Sequence, residues 1–174
     1  MISGIAIVGG NGSGKTTLGE MLANTLGYKH LDVEDYYFGN RSSSFSNPRS
    51  KEEVQQLLLE DMHLFPNFVF SSVGGDMGDE INKRYDLVIY INAPLDIRIN
   101  RVKARAIEKY GDRVLPGGDM YESEQDFFHY VATRSLNNLD QWVNSINCPV
   151  LYLDGTDPLE INVAHIKQYI ASLG

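Results

Sequence analysis

Sulfur chemistry, long apolar runs and positive charge are all scarce in this chain. A single cysteine, Cys148, stands among 174 residues, so no disulfide can form within it. Cys148 precedes Pro149 in an apolar stretch, which points to a buried thiol without a chemical role and to a reducing compartment. Purely apolar runs are as short as Ile5 to Val8 and Leu57 to Leu59, far below the ~20 residues of a spanning helix. Met1 leads almost directly into an apolar strand, with no basic leader and no small-residue cleavage pattern. The expectation is a cytoplasmic protein that does not enter a membrane. Acidic residues outnumber basic ones by 23 to 15, a net charge of −8, which disfavours long nucleic acids as partners unless positive charge is concentrated locally. No segment repeats. The nearest approach to low complexity, Ser42-Ser43-Ser44, lies in a surface loop expected over 39 to 50. A chain of this length can bury a sizeable core without a structural metal, so residues 1 to 174 are read as one domain.

Short apolar runs alternate with stretches of helical period, the pattern of βαβ units and a parallel sheet. Five strands are expected, at Ile2 to Val8, Tyr28 to Asp32, Phe68 to Val73, Asp86 to Asn92 and Val150 to Asp154. Ser50-Lys51-Glu52-Glu53 has the form of a capping box, and Leu57, Leu58 and Met62 give its helix an apolar side. Pro94 suits the first turn of another helix, with Leu95, Ile99, Val102 and Ala106 on one face. Ser123-x-x-Asp126 is expected to open a longer helix that keeps its period through Phe128, Val131, Ser135, Leu139, Trp142 and Ile146. Trp142 and the pair Phe127-Phe128 are assigned to core packing. Asp157-Pro158-Leu159-Glu160 combines a capping acid, a first-turn proline and a third-position glutamate, and begins an amphipathic last helix. The glycine-rich segment from Tyr110 to Tyr121 breaks the period and is expected to be a mobile loop.

The strongest signal is Gly9-Gly10-Asn11-Gly12-Ser13-Gly14-Lys15-Thr16, which meets G-x-x-x-x-G-K-[ST] at every fixed position between a strand and a helix starting near Thr17. Glycines let successive N–H groups point at phosphate oxygens, and the helix N-terminus adds partial positive charge. Gly10, Asn11, Gly12, Ser13, Gly14, Lys15, Thr16 and Thr17 are therefore candidate ATP-binding residues. Lys15 would reach the β and γ phosphates and the Thr16 hydroxyl would help hold Mg²⁺. Beyond the second strand lies Leu31-Asp32-Val33-Glu34-Asp35-Tyr36-Tyr37-Phe38, at the sheet end where ligands bind. A carboxylate there could take a proton from an attacking hydroxyl or order Mg²⁺. Asp35 is the first choice, with Asp32, Glu34 and Asp76 as alternatives. A third signal is basic: Arg98, Arg101, Lys103, Arg105, Lys109 and Arg113 face only Glu108 and Asp112, so this window is locally positive. Arg101 and Arg105 share a helical face, and arginines of this kind can stabilise a phosphoryl group in flight.

Together these motifs resemble the P-loop small-molecule kinases of the nucleoside monophosphate kinase and shikimate kinase type. The resemblance is carried by GGNGSGKTT, LDVEDYYF, the Arg101-x-x-x-Arg105 helix leading to a glycine-containing loop, and the late Leu153-Asp154-Gly155-Thr156. It implies an α/β fold with a five-stranded parallel sheet in the order 2-3-1-4-5, a substrate-binding region over about 35 to 65, and a helical lid over about 106 to 122. It also implies that Arg101, Arg105, Arg113 and Arg134 grip the transferred phosphate and that Gly155 and Thr156 lie beside the adenine. After the third strand the chain has Ser71-Ser72-Val73-Gly74-Gly75-Asp76, without the arginine that would hold a nucleoside monophosphate. The partners implied are ATP and a small-molecule phosphate acceptor, whether nucleoside, nucleotide or hydroxylated metabolite. A nucleotide-dependent switch without an acceptor is the alternative.

Overall fold

A computed structural model describes residues 2 to 39 and 47 to 174. Most of the loop expected over 39 to 50 lies outside the described residues. Five strands, β1 (Gly4–Val8), β2 (Lys29–Asp32), β3 (Phe68–Ser72), β4 (Leu87–Asn92) and β5 (Val150–Asp154), form one sheet in the order β2-β3-β1-β4-β5. All four pairings are parallel, as the resemblance implied. Among the described residues the helices are α1 (Lys15–Leu26), α2 (Val33–Phe38), α3 (Lys51–Leu64), α4 (Asp79–Asn82), α5 (Leu95–Tyr110), α6 (Tyr121–Thr133), α7 (Asn137–Ser145) and α8 (Leu159–Leu173). A 3₁₀ turn, Gly111–Val114, follows α5.

The alternation of side chains along β1 distributes the core. Ala6 and Val8 face Phe70, Leu58, Met62, Tyr85 and Trp142, whereas Ile5 and Ile7 face Leu18, Leu22, Val163 and Ile166 of α1 and α8. Every residue of β1 and β3 is buried, as expected for central strands covered on both faces. The Asp86 carboxylate accepts from the N–H groups of Ser3 and Gly4 at 2.7 and 3.0 Å, and so fixes the entry to β1. Because the strands are parallel, Val8, Asp32, Ser72, Asn92 and Asp154 all end at one edge, where the loops bearing the sequence motifs emerge. A third, smaller cluster of Val102, Ala106, Val114, Phe128 and Val131 lies away from the sheet.

The Ser50 capping box forms with both of its reciprocal hydrogen bonds. Other boundaries differ from expectation. The long helix over 123 to 146 is two helices, with Arg134 extended at ψ 121 and the Asn137 N–H bonded to the Ser135 hydroxyl. The hydrophobic period continues across the break, but Phe128 and Val131 serve the small cluster while Leu139 and Trp142 serve the sheet. One straight helix could not face both. Ser123 caps nothing at the start of α6; its hydroxyl donates to the Met120 carbonyl. Pro94 and Pro158 occupy the capping positions of α5 and α8, one residue before the first helical turn. The segment from Tyr110 to Tyr121 is not an open loop. Val114 is buried, and Met120 N–H donates to the Arg113 carbonyl while Gly118 N–H donates to that of Leu115. Trp142 and Phe128 are buried as expected, whereas Phe127 is 40% exposed beside Tyr130.

Gly75, beyond β3, touches Trp142 so closely that a Cβ would sit 2.4 Å from its ring, at a φ of +69° that favours glycine. Gly75→Ala is expected to destabilise the fold by ~1–3 kcal/mol through overpacking and backbone strain. Urea unfolding reads this directly, and an unchanged midpoint would contradict the packing.

Candidate active site

The phosphate loop leaves β1 at Val8 and enters α1 at Lys15. Gly14 occupies the helix cap at φ 100 with no side-chain capping bond, so the first amides of α1 remain for an external anion. Gly12, at φ +80, packs on the start of α5, where a Cβ would lie 2.3 Å from the Arg98 carbonyl oxygen. No other residue fits that position. Ser13 is fully buried and its N–H donates to the Gly10 carbonyl at 3.1 Å. Thr17 is exposed in the first turn of the helix.

Lys15 is held at low dielectric among charges of both signs. Burial pushes its pKa down to about 8, opposed by Glu34 and then Asp32, and reinforced by Arg105 and Arg134. The charges of Glu34, Asp32, Arg105 and Arg134 thus all lie near enough to act on the Lys15 ammonium. The Thr16 hydroxyl donates to Asp32 Oδ2 at 2.9 Å. Asp32 is 4% exposed, and its other oxygen accepts from Glu34 N–H, which caps α2 and turns the chain at the end of β2. Beneath the helix the Ser71 hydroxyl reaches the Lys15 carbonyl at 3.3 Å and lies 2.9 Å from His30 Nε2. A hydroxyl and a carboxylate brought together beside a half-buried lysine form a donor set suited to a hard divalent cation on a phosphate chain. The residues present thus fit Mg²⁺ and ATP.

The arginines divide into two groups. Arg105 is exposed on α5, and Arg134, at the end of α6, reaches the Asn11 side-chain oxygen at 3.4 Å and lies over the Tyr130 ring. Both act on Lys15. Arg101 instead donates to the carbonyls of Gly12 and Ser13, each at 3.4 Å, and to that of Gly155 at 2.7 Å. Arg113 is paired with Asp119 through two hydrogen bonds at 2.9 and 2.8 Å, with both side chains exposed. The Gly155 and Thr156 turn is drawn against the phosphate loop: Gly155 N–H donates to the Asn92 carbonyl, and the Asp154 carboxylate accepts from the N–H and hydroxyl of Thr156.

With this geometry fixed, comparison with known proteins places the chain. Residues 5–129, well over half of it, match the AAA domain family. The chain belongs to that family. The uncharacterized protein YqaC of Bacillus subtilis is 30% identical to it over 99% of both chains. A shikimate kinase of Psychrobacter cryohalolentis is 28% identical, covering 74% of this chain and 76% of the relative. Among solved structures, the Acinetobacter baumannii shikimate kinase in complex with shikimate has a TM-score of 0.58 at 19% identity, covering 99% and 94% of the two chains. A deoxyadenosine kinase from M. mycoides with bound dCTP has a TM-score of 0.56 at 20% identity, covering 97% and 99%. The fold of this AAA-domain protein is therefore that of the P-loop small-molecule kinases. No helix among its described residues is long and apolar enough to cross a membrane.

Sequence reasoning set Asp35 ahead of the other carboxylates, but the Thr16 hydroxyl meets Asp32, and Glu34 is the carboxylate that acts most strongly on Lys15. The available signal was the end of the strand: Asp32 is its last residue, and Glu34 two residues on is near enough for its charge to act on the lysine. Asp35 is exposed on α2. Asp76 accepts from Gly78 N–H and Asn82 Nδ2, an arrangement that shapes the start of α4. Arg98, which carried no assigned role on sequence grounds, is buried behind the phosphate loop.

Proposed function

We propose that this protein is an ATP- and Mg²⁺-dependent phosphotransferase that moves the γ-phosphate of ATP to a hydroxyl of a small-molecule acceptor. The observation that carries the reading is the convergence of Lys15, Thr16, Asp32, Glu34, Arg105 and Arg134 at the C-terminal edge of the sheet. Lys15 and the loop amides that remain free of the Ser13–Gly10 hydrogen bond, within residues 10 to 17, bind the phosphates of ATP. Thr16 and Asp32 are the Mg²⁺ residues, and the cation supplies charge neutralisation on the phosphate chain when bound. The acceptor lies over α2 and α3, which the Tyr36 hydroxyl ties together by donating to Asp61, and near Gly74 to Asp76. Its hydroxyl loses a proton to a carboxylate on α2 and forms the new O–P bond as the bond to the β-phosphate oxygen breaks, releasing ADP. Glu34 is the favoured acceptor of that proton, and Asp35 is the second candidate. Arg105 and Arg134 stabilise the charge on the group in transit. Gly155 and Thr156 border the adenine. Arg101 braces that turn against the phosphate loop, and Arg113 joins the site from the region over 106 to 122.

A coupled ADP-release screen over nucleosides, nucleotides and hydroxylated metabolites tests the reading. Acceptor-stimulated release is expected, and slow hydrolysis indifferent to every acceptor would favour the switch. Asp32→Asn is expected to lower kcat by ~10² to 10⁴ and raise the Mg²⁺ concentration for half-maximal rate. Glu34→Gln should lower kcat without moving that Mg²⁺ requirement. An inactive Asp35→Asn with an active Glu34→Gln would return the proton to Asp35.

A further inference from the structure

Each carbonyl oxygen of the phosphate loop from residue 10 to residue 14 has an identifiable donor. Gly10 accepts from Ser13 N–H and Gly14 from Leu18 N–H. Gly12 and Ser13 accept from Arg101. Asn11 accepts from Arg98 Nη1 at 3.3 Å, and Arg98 Nε donates to the Ala93 carbonyl at 3.1 Å. A planar trans peptide directs its N–H opposite to its C=O. Tying the Asn11 and Ser13 carbonyls to α5 therefore turns the amides that follow them, those of Gly12 and Gly14, to the other side of the loop, while the Ser13 N–H is spent on the Gly10 carbonyl.

Arg98 differs from Arg101 in its electrostatic surroundings. The Asp154 carboxyl is held below its ordinary range by its hydrogen bonds from Thr156 and, to a lesser degree, by the charge of Arg101. Arg98 is 9% exposed, and among the described residues its hydrogen bonds go to main-chain carbonyls and none to a carboxylate. Its guanidinium presses on the loop so closely that a Cβ on Gly10 would lie 2.5 Å from Nη1. A buried cation without a counter-anion is costly. A polyphosphate bound in the loop would supply that anion one peptide layer away.

We infer that Arg98 is a positioning residue for the phosphate loop: it prefolds the loop through the Asn11 carbonyl and lends its buried positive charge to the bound polyphosphate. The inference rests on the nucleotide-binding reading above and adds to it a residue outside the glycine-lysine motif. It also accounts for the spacing of Arg98 and Arg101, which places both on the face of α5 that meets the loop.

The test compares wild type with Arg98→Met and Arg98→Lys, measuring the affinity for ADP and for inorganic pyrophosphate by calorimetry, well below the melting temperature. Arg98→Met is expected to weaken both ligands by about 10- to 100-fold, and by the same factor, because the lost interaction is with the phosphates. Arg98→Lys keeps the charge but cannot span both carbonyls, so it should recover part of the loss. At saturating ATP and acceptor, kcat should fall less than the affinities do. A lower melting temperature with unchanged affinities would make Arg98 a packing residue only and overturn the inference. A loss for ADP that pyrophosphate does not share would overturn it as well. If Arg98→Met fails to fold, Arg98→Lys alone decides, since wild-type affinity in that variant with the fork removed would also refute positioning. Failure of wild type to bind either ligand would refute the nucleotide reading, and this assignment with it.

Discussion

Lys15→Met is expected to abolish phosphoryl transfer while the nucleotide-free protein melts at the wild-type temperature or above it. Burial holds the Lys15 pKa at about 8, below its ordinary value of 10.5. The sign follows from linkage. The unfolded chain binds the proton more tightly than the folded one, so stability rises with pH between about 8 and 10.5 and is lowest where Lys15 is charged in both states. Removing the ammonium removes that cost at neutral pH. Melting curves at neutral pH and near pH 10 should therefore converge in the variant and differ in wild type. The same pKa governs ligand binding. A polyphosphate favours the ammonium form, so ATP affinity should fall as pH rises through about 8, with proton uptake on binding above that point. Unchanged turnover in Lys15→Met would sink the assignment, and a large drop in its melting temperature would contradict the burial account.

The second large effect is expected at Arg105. It is exposed on α5, and its charge still reaches Lys15. An arginine on the transferred phosphoryl group is worth ~10³ to 10⁵ in rate, so Arg105→Ala should lower kcat by roughly that range with little change in ATP affinity. The fold should not suffer. An effect confined to ATP binding would place Arg105 on the ground-state phosphates. Arg134→Ala serves as the comparison, because its contacts to Asn11 and the Tyr130 ring tie it to the loop itself. Its loss should appear in both KM and kcat.

The parts of this molecule that were legible in the sequence are those where backbone geometry dictates residue type. Gly12 and Gly14 hold left-handed conformations at the loop, Lys15 and Thr16 follow at fixed spacing, and Ser50 with Glu53 closes a capping box. The sheet order came from the resemblance and agrees with the structure. What stayed illegible depends on which surface a side chain meets. Periodicity carried Phe128, Val131, Leu139 and Trp142 along one line, yet they belong to two separate clusters. Three carboxylates within four residues, Asp32, Glu34 and Asp35, are equivalent in composition, and only the cap at Asp32 decides which one meets Thr16. The basic window likewise concealed its partners: Arg98 and Arg101 bind carbonyls while Arg105 is exposed and acts on the lysine through its charge. Their three-residue spacing on α5 was a usable signal for the first pair.

The pairing of Arg113 with Asp119 has a consequence for how that arginine could ever join the reaction. Its fork already holds a planar anion in a two-point grip, so reaching a phosphoryl group means trading one bidentate oxyanion for another. Such an exchange is close to balanced when both sites are wet. On the proposed function, Asp119 would act as a parking place, keeping the guanidinium ordered until a more highly charged anion competes for it. Asp119→Asn would release the arginine early, and the entropy of orienting it would fall on the catalytic cycle instead of on the resting protein.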